Sequence, residues 1–245
     1  MSQPNLERKS QEQINKAEGN IAGGDFVFAP QQIETYIETQ IVEISAEKVT
    51  QKELIKSSPY KGLKRFNQSD RAYFFGRDAL IAKLFDAVNK SSLTLVLGAS
   101  GSGKSSLVRA GLIPEFKKSF DSQKLYDFVF TPNQDPFESL YRCLLSEEKD
   151  YRFKASNIEF VRQGKSYTLS ELIDKLKQDK KRLLFFIDQF EQLFINTNLE
   201  KRQNFVEGIV RVAEKGDSSV RIVLAMRSDF LEQFSLYPTF RADRR

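Results

Sequence analysis

A short apolar run, Leu93-Thr94-Leu95-Val96-Leu97, leads directly into Gly98-Ala99-Ser100-Gly101-Ser102-Gly103-Lys104-Ser105. The eight residues satisfy the pattern G-x-x-x-x-G-K-[ST]. Such a loop requires a buried strand before it and a helix after it, so it constrains the fold as well as the ligand. Its glycines allow left-handed backbone angles and bring N–H groups against phosphate oxygens. The helix behind contributes the positive end of its dipole. Lys104 would place a point charge on the β- and γ-phosphates of a nucleoside triphosphate, and the Ser105 hydroxyl would be a ligand for Mg²⁺. Candidate nucleotide-binding residues are therefore Gly98, Ala99, Ser100, Gly101, Ser102, Gly103, Lys104 and Ser105, with Ser106 beside them. The bland alternative, a Gly/Ser-rich connector, is disfavoured by the strand and helix patterns on either side.

The rest of the chain repeats strand and helix patterns in the order of an α/β fold with a parallel sheet. The run before the loop shows no polar alternation, as suits a strand covered on both faces. A helix is expected from Lys104 to about Leu112, stopped before Pro114. A second strand reads at Asp127-Phe128-Val129-Phe130. The next helix starts at Pro136, with Asp135 as its N-cap. Another helix opens at Thr168 and runs to about Lys177. A third strand spans Arg182 to Ile187 and ends at Asp188. A helix runs from about Leu199 to Glu214, and a fourth strand, Val220 to Met226, ends at Arg227.

Residues 1–57 differ in character from the remainder of the chain. Polar residues dominate to Asn20, and a Gly-rich step comes next. Between Gln31 and Leu54 the apolar spacing is nearer helical than alternating, although Tyr36 to Ile44 also passes as a strand. The segment reads as an N-terminal extension that is either a linker or an interaction arm, or else simply disordered. A boundary at Ser57-Ser58-Pro59-Tyr60 opens a nucleotide-binding domain over residues 58–245.

The metal needs a carboxylate partner, and Asp188 supplies one. An apolar strand ending in Asp downstream of such a loop is the Walker B arrangement, in which Asp188 would hold Mg²⁺ through a water. Gln189 stands where a carboxylate base would activate the attacking water, and an amide cannot accept that proton. Glu191 either orients a water or opens a helix. Both readings imply slow hydrolysis. Arg227, at the end of the fourth strand, either senses the γ-phosphate or pairs with Asp229 at the surface. Lys104, Asp188, Glu191 and Arg227 are the candidate catalytic residues, and Ser105 and Asp188 the candidate metal ligands.

Composition removes competing chemistries. The chain has no histidine and one cysteine, Cys143. His-based triads, His-ligated metals and thiolate cages are therefore excluded, and a reducing cytoplasm fits the cysteine usage. The net charge of +5 arises from 38 basic and 33 acidic residues, scattered as in Lys117-Lys118, Lys180-Lys181-Arg182 and Arg241 to Arg245. These read as solvated faces and not as a nucleic-acid groove. No run of about 18 apolar residues suggests a membrane span, and the N-terminus carries no apolar signal region.

Taken together, these residues resemble the bacterial STAND class of P-loop signalling ATPases, in particular the novel STAND NTPases often joined to WD40 or other repeats. Ser58-Pro59-Tyr60-Lys61-Gly62-Leu63 and Phe74-Phe75-Gly76-Arg77-Asp78 are similar to the family's segment before the loop. There the resemblance places Gly76 and Arg77 near the adenine. LGASGSGKSSLVRAGLIP (Leu97 to Pro114), FIDQFEQLF (Phe186 to Phe194) and AMRSDF (Ala225 to Phe230) resemble its loop and first helix, Walker B segment and sensor arginine. The likeness covers roughly Ser58 to Phe240. It implies an ATP/ADP-controlled switch with protein partners or self-association, on a P-loop sheet of strand order 5-1-4-3-2. In that family the chain continues into another strand, a winged-helix lid and usually repeats, whereas here it ends at Arg245. The fifth strand and the lid are therefore expected to be missing. Two alternatives stay open: an interaction-only or nonfunctional fragment, and an ATP-dependent phosphotransferase, for which no acceptor-site base is visible.

Overall fold

The computed structural model describes the backbone of residues 39–44 and, in full, residues 64–120, 125–146, 154–176 and 182–237. The expected boundary at Ser57–Tyr60 and the basic groups at 180–181 and 241–245 lie outside these residues.

Five strands form one parallel sheet: β1 (Thr39–Ile44), β2 (Leu93–Gly98), β3 (Leu125–Phe130), β4 (Arg182–Ile187) and β5 (Val220–Arg227). Their order is β1-β2-β5-β4-β3. The last four places reproduce the 1-4-3-2 core order that the resemblance implies. The outer place beside the loop strand, expected to be empty, is taken by β1, which runs from Thr39 opposite Leu93 to Ile44 opposite Gly98. Residues 39–44 therefore belong to the sheet, and of the two readings that their ambiguous spacing allowed it is the strand that forms. The bare N–H and C=O groups on the free side of β2 explain the pairing, because an unpaired edge must find partners or water.

The strands form because their residues suit burial on both faces. Leu93, Leu95, Leu97, Phe185, Ile187, Ile222 and Leu224 face one apolar layer, and Val96, Leu184, Phe186, Val223 and Ala225 face the other. This alternation at period two sends neighbouring side chains to opposite sides of an otherwise continuous apolar run. The first layer is completed by α3 (Pro136–Ser146), α4 (Thr168–Leu176) and α5 (Leu199–Glu214). The second is completed by α1 (Asp78–Lys90) and by the helix behind the loop, α2, which runs through Lys104–Ser106, Leu107–Leu112 and Ile113–Ser119. Each fully buried Leu, Ile or Phe contributes about 1.5–3 kcal/mol, against at most about 1 kcal/mol for an exposed ion pair. The two apolar layers therefore hold the sheet together.

Pro114 does not end α2 as expected. The stretch Leu107–Leu112 is a π-helix, and Pro114 falls in the first turn of the regular segment Ile113–Ser119. The wider π turn leaves room for the ring, and the missing N–H is tolerated at a segment start. Asp135 does cap α3, its Oδ1 accepting from the N–H groups of Phe137 (3.0 Å) and Glu138 (3.1 Å).

Candidate functional site

Parallel pairing brings the carboxyl ends of β2, β4 and β5 to one edge of the sheet, where α/β proteins place their ligands. Gly98 pairs with Arg227 across β2 and β5. Past the end of β4, the Asp188 N–H donates to Phe130 O and the Phe190 N–H to Ala225 O, both at 2.8 Å. Asp188 is thereby fixed between β3 and β5. Gln189, between them, takes a left-handed φ of 51°. Such a conformation costs a residue with a side chain about 1–2 kcal/mol, and the flanking strand-end bonds impose it.

A cavity of about 1170 Å³ opens at this edge. Its floor is the loop after β2, contributing Ser100, Gly101, Gly103, Lys104, Ser105 and Ser106. Asp188, Gln189 and Glu191 line it from the end of β4, and Arg227 from the end of β5. Gly101 and Gly103 have φ of 78° and 91°, and a Cβ on either would meet nothing within 4 Å. The glycines are needed for their backbone angles, and the loop faces open space large enough for phosphates.

Lys104 Nζ donates to the carbonyls of Gly98 and Ala99, each at 2.8 Å. Burial pulls its pKa below the ordinary lysine value, and the charges of Glu191 and Asp188 oppose that shift. The Ser105 hydroxyl donates to Asp188 Oδ1 at 2.6 Å. The two candidate metal ligands thus meet from distant parts of the chain. Among the described residues no group of three or more acidic, histidine or cysteine side chains could hold a metal alone. A hydroxyl, one carboxylate and the phosphates themselves are the donor set that suits Mg²⁺, which keeps several waters.

Arg227 lines the cavity, but its guanidinium is paired with Asp229 through two bonds of 3.0 and 2.5 Å. Glu191 Oε2 accepts from the Arg227 backbone N–H at 3.3 Å and precedes the short helix Gln192–Asn196. Gly98, Ala99 and Ser102 belong to the loop without lining the cavity. Gly76 and Arg77 lie at the start of α1, where Arg77 O accepts from the Ile81 N–H, and neither lines the cavity.

Three features went unread in the sequence. The segment Lys64–Asn67 forms a wall of the cavity. Within it, Arg65 Nη1 lies 3.2 Å from Asp188 Oδ2. Arg109, on α2, reaches the same oxygen through Nε at 3.3 Å and Nη2 at 3.2 Å. Burial lowers the Arg109 pKa, and the neighbouring Asp188 carboxylate opposes the shift. Arg109 follows Ser105 by four positions, and helical periodicity alone could have placed it on the same face. No local signal marks Arg65.

The sequence model described as novel STAND NTPase 1 matches residues 59–244. No curated protein matches the chain.

Proposed function

Since this chain belongs to the novel STAND NTPase 1 family, we propose that it is a regulatory switch domain that binds ATP with Mg²⁺ and hydrolyses it slowly. The observation that carries this reading is the convergence of Lys104, Ser105 and Asp188 on one cavity at the carboxyl edge of the sheet. The loop N–H groups and Lys104 would take the β- and γ-phosphates. Ser105 and Asp188 would hold Mg²⁺, whose charge would offset that of the phosphates. Gly76 and Arg77, away from the cavity wall, remain candidates for the adenine side.

Slow turnover is expected from the residues beside Asp188. Gln189 has no carboxylate to take a proton from water. Glu191 has one, and it lines the cavity, but one of its oxygens is engaged by the Arg227 N–H. Arg227 must leave Asp229 before it can contact a γ-phosphate, which suits a residue whose contacts differ between ATP and ADP. Among the described residues no helix is long and apolar enough to cross a membrane. The sequence has a single cysteine, Cys143, which suits a reducing compartment, and the domain is placed in the cytoplasm, where its switch would act on protein partners or on further copies of the chain.

The test is an ATP-binding isotherm on the intact chain, with and without Mg²⁺, for wild type and Lys104→Ala. Binding that the substitution weakens at least about a hundredfold, with turnover well below about 1 s⁻¹, is the expected result. Equal affinity in the two proteins would refute the reading.

A further inference from the structure

Asp188 is the carboxylate proposed for the metal, yet every side of it is already engaged. Its side chain is 1% exposed. Oδ1 accepts from the Ser105 hydroxyl at 2.6 Å and from the Gln189 N–H at 3.0 Å. Oδ2 accepts from Arg109 and from Arg65. A carboxylate offers about four lone-pair sites, and these donors fill them. A divalent cation, bound directly or through one of its waters, needs a site that a donor now uses.

The two arginines are not equally able to leave. Arg109 makes two bonds to Oδ2, is 16% exposed, and lies with its guanidinium carbon 5.7 Å from the centre of the buried Phe186 ring. Its chain neighbours on α2, Val108 and Ala110, are buried and apolar. Arg65 reaches the oxygen through one nitrogen, is 49% exposed, and lies on the cavity wall with open space before it. Its segment is fastened just beyond, where the Phe66 N–H donates to the Ser106 hydroxyl at 3.0 Å. Further on, Gln68 bonds Asp127 and Lys117. A guanidinium leaving Asp188 would thus swing from a fixed point and stay at the cavity.

We propose that Arg65 is an internal counter-cation of the metal-binding carboxylate: it neutralises Asp188 in the empty site and is displaced when Mg²⁺ arrives with the nucleotide. Arg109 remains as the permanent partner that orients the carboxylate. The displacement couples the 64–67 segment to the metal, and through the metal to the phosphates, because two ligands competing for one group are reciprocally linked. Arg65 is a positioning residue here and takes no part in bond making. The inference rests on the proposed Mg-nucleotide site and adds that the segment before α1 senses its occupancy.

The experiment titrates Mg²⁺ into the intact chain holding a fluorescent ATP analogue, for wild type and Arg65→Gln, after circular dichroism shows both folded. A partly exposed ion pair lost from the competing state should lower the half-saturating Mg²⁺ concentration about three- to fivefold in R65Q. Affinity for the analogue in EDTA should stay the same or weaken. In the wild type alone, amide exchange at residues 64 and 65 should be faster with Mg-ATP than with ATP in EDTA, while the Phe66 N–H held by Ser106 changes little, a readout that does not depend on the variant folding. An unchanged or raised Mg²⁺ midpoint in R65Q, with nucleotide still bound, overturns this inference and leaves the switch reading intact. Wild-type protein that binds no nucleotide at any Mg²⁺ concentration overturns both.

Discussion

Replacing Asp188 with Asn should destabilise the chain even with no nucleotide present. The change keeps the shape of the side chain and the bonds that Oδ1 accepts from Ser105 and Gln189. It removes the negative charge that faces Arg65 and Arg109, and with the amide oxygen kept at the Oδ1 position it sets an amide N–H₂ against their N–H donors. Arg109, at 16% exposure, cannot recover water without leaving Phe186. Removing one partner of a buried pair costs about 3–5 kcal/mol. The cavity beside Asp188 admits some solvent, so the loss should be about 2–4 kcal/mol. Arg65→Gln breaks a half-exposed contact to the same oxygen and should cost under about 1 kcal/mol. Urea unfolding in EDTA measures both. With a slope of about 2 kcal/mol/M, Asp188→Asn should lower the midpoint by roughly 1–2 M at unchanged slope. A midpoint equal to wild type would refute the assignment of Asp188 as the charge that pins Arg109. Equal losses in the two variants would refute the ranking of the arginines.

Two further outcomes test the packing around the site. Burial works to raise the Asp135 pKa, but the bond from Lys201 and the N–H groups of Glu138 and Phe137 outweigh it and hold the carboxyl below its ordinary 3.8. A depressed folded-state pKa means stability that is present above 3.8 and lost as pH falls through the lower folded value. Asp135→Ala should therefore cost about 1 kcal/mol or more near neutrality and progressively less in urea melts below pH 3.8; a pH-independent cost would disprove the cap's charged role. At Gly111 a Cβ would lie 2.7 Å from Ile81 Cγ1 and 2.9 Å from Cδ1, so α1 and α2 touch there. Gly111→Val should destabilise by about 1–3 kcal/mol, with partial relief in the double variant carrying Ile81→Val; additive losses would show that the two positions do not share this contact.

The phosphate loop, the buried parallel strands and the place of Asp188 were legible in the sequence because each is carried by short-range pattern, whereas the core strand order was implied only by the family resemblance. A glycine-rich turn must follow a buried strand, and apolar runs covered on both faces must lie inside a parallel sheet. What the pattern could not carry is pairing between distant segments. Thr39–Ile44 spaces its apolar residues ambiguously, and only the open side of β2 decides that it is a strand. Arg109 was within reach, one helical turn beyond Ser105. Arg65 was not, because it meets Asp188 across 123 positions and looks like any other basic residue before a helix. Spacing in the sequence therefore marks Lys104, Ser105 and Asp188, the groups proposed to meet a nucleotide and its metal, more readily than it marks the arginines paired with Asp188. Asp188 illustrates the difference: the strand before it predicts its location, but only the folded chain reveals the two guanidiniums that neutralise it. A buried carboxylate needs an opposite charge paired with it. That requirement, applied to Asp188 from the outset, directs the search to the arginines that folding could bring there.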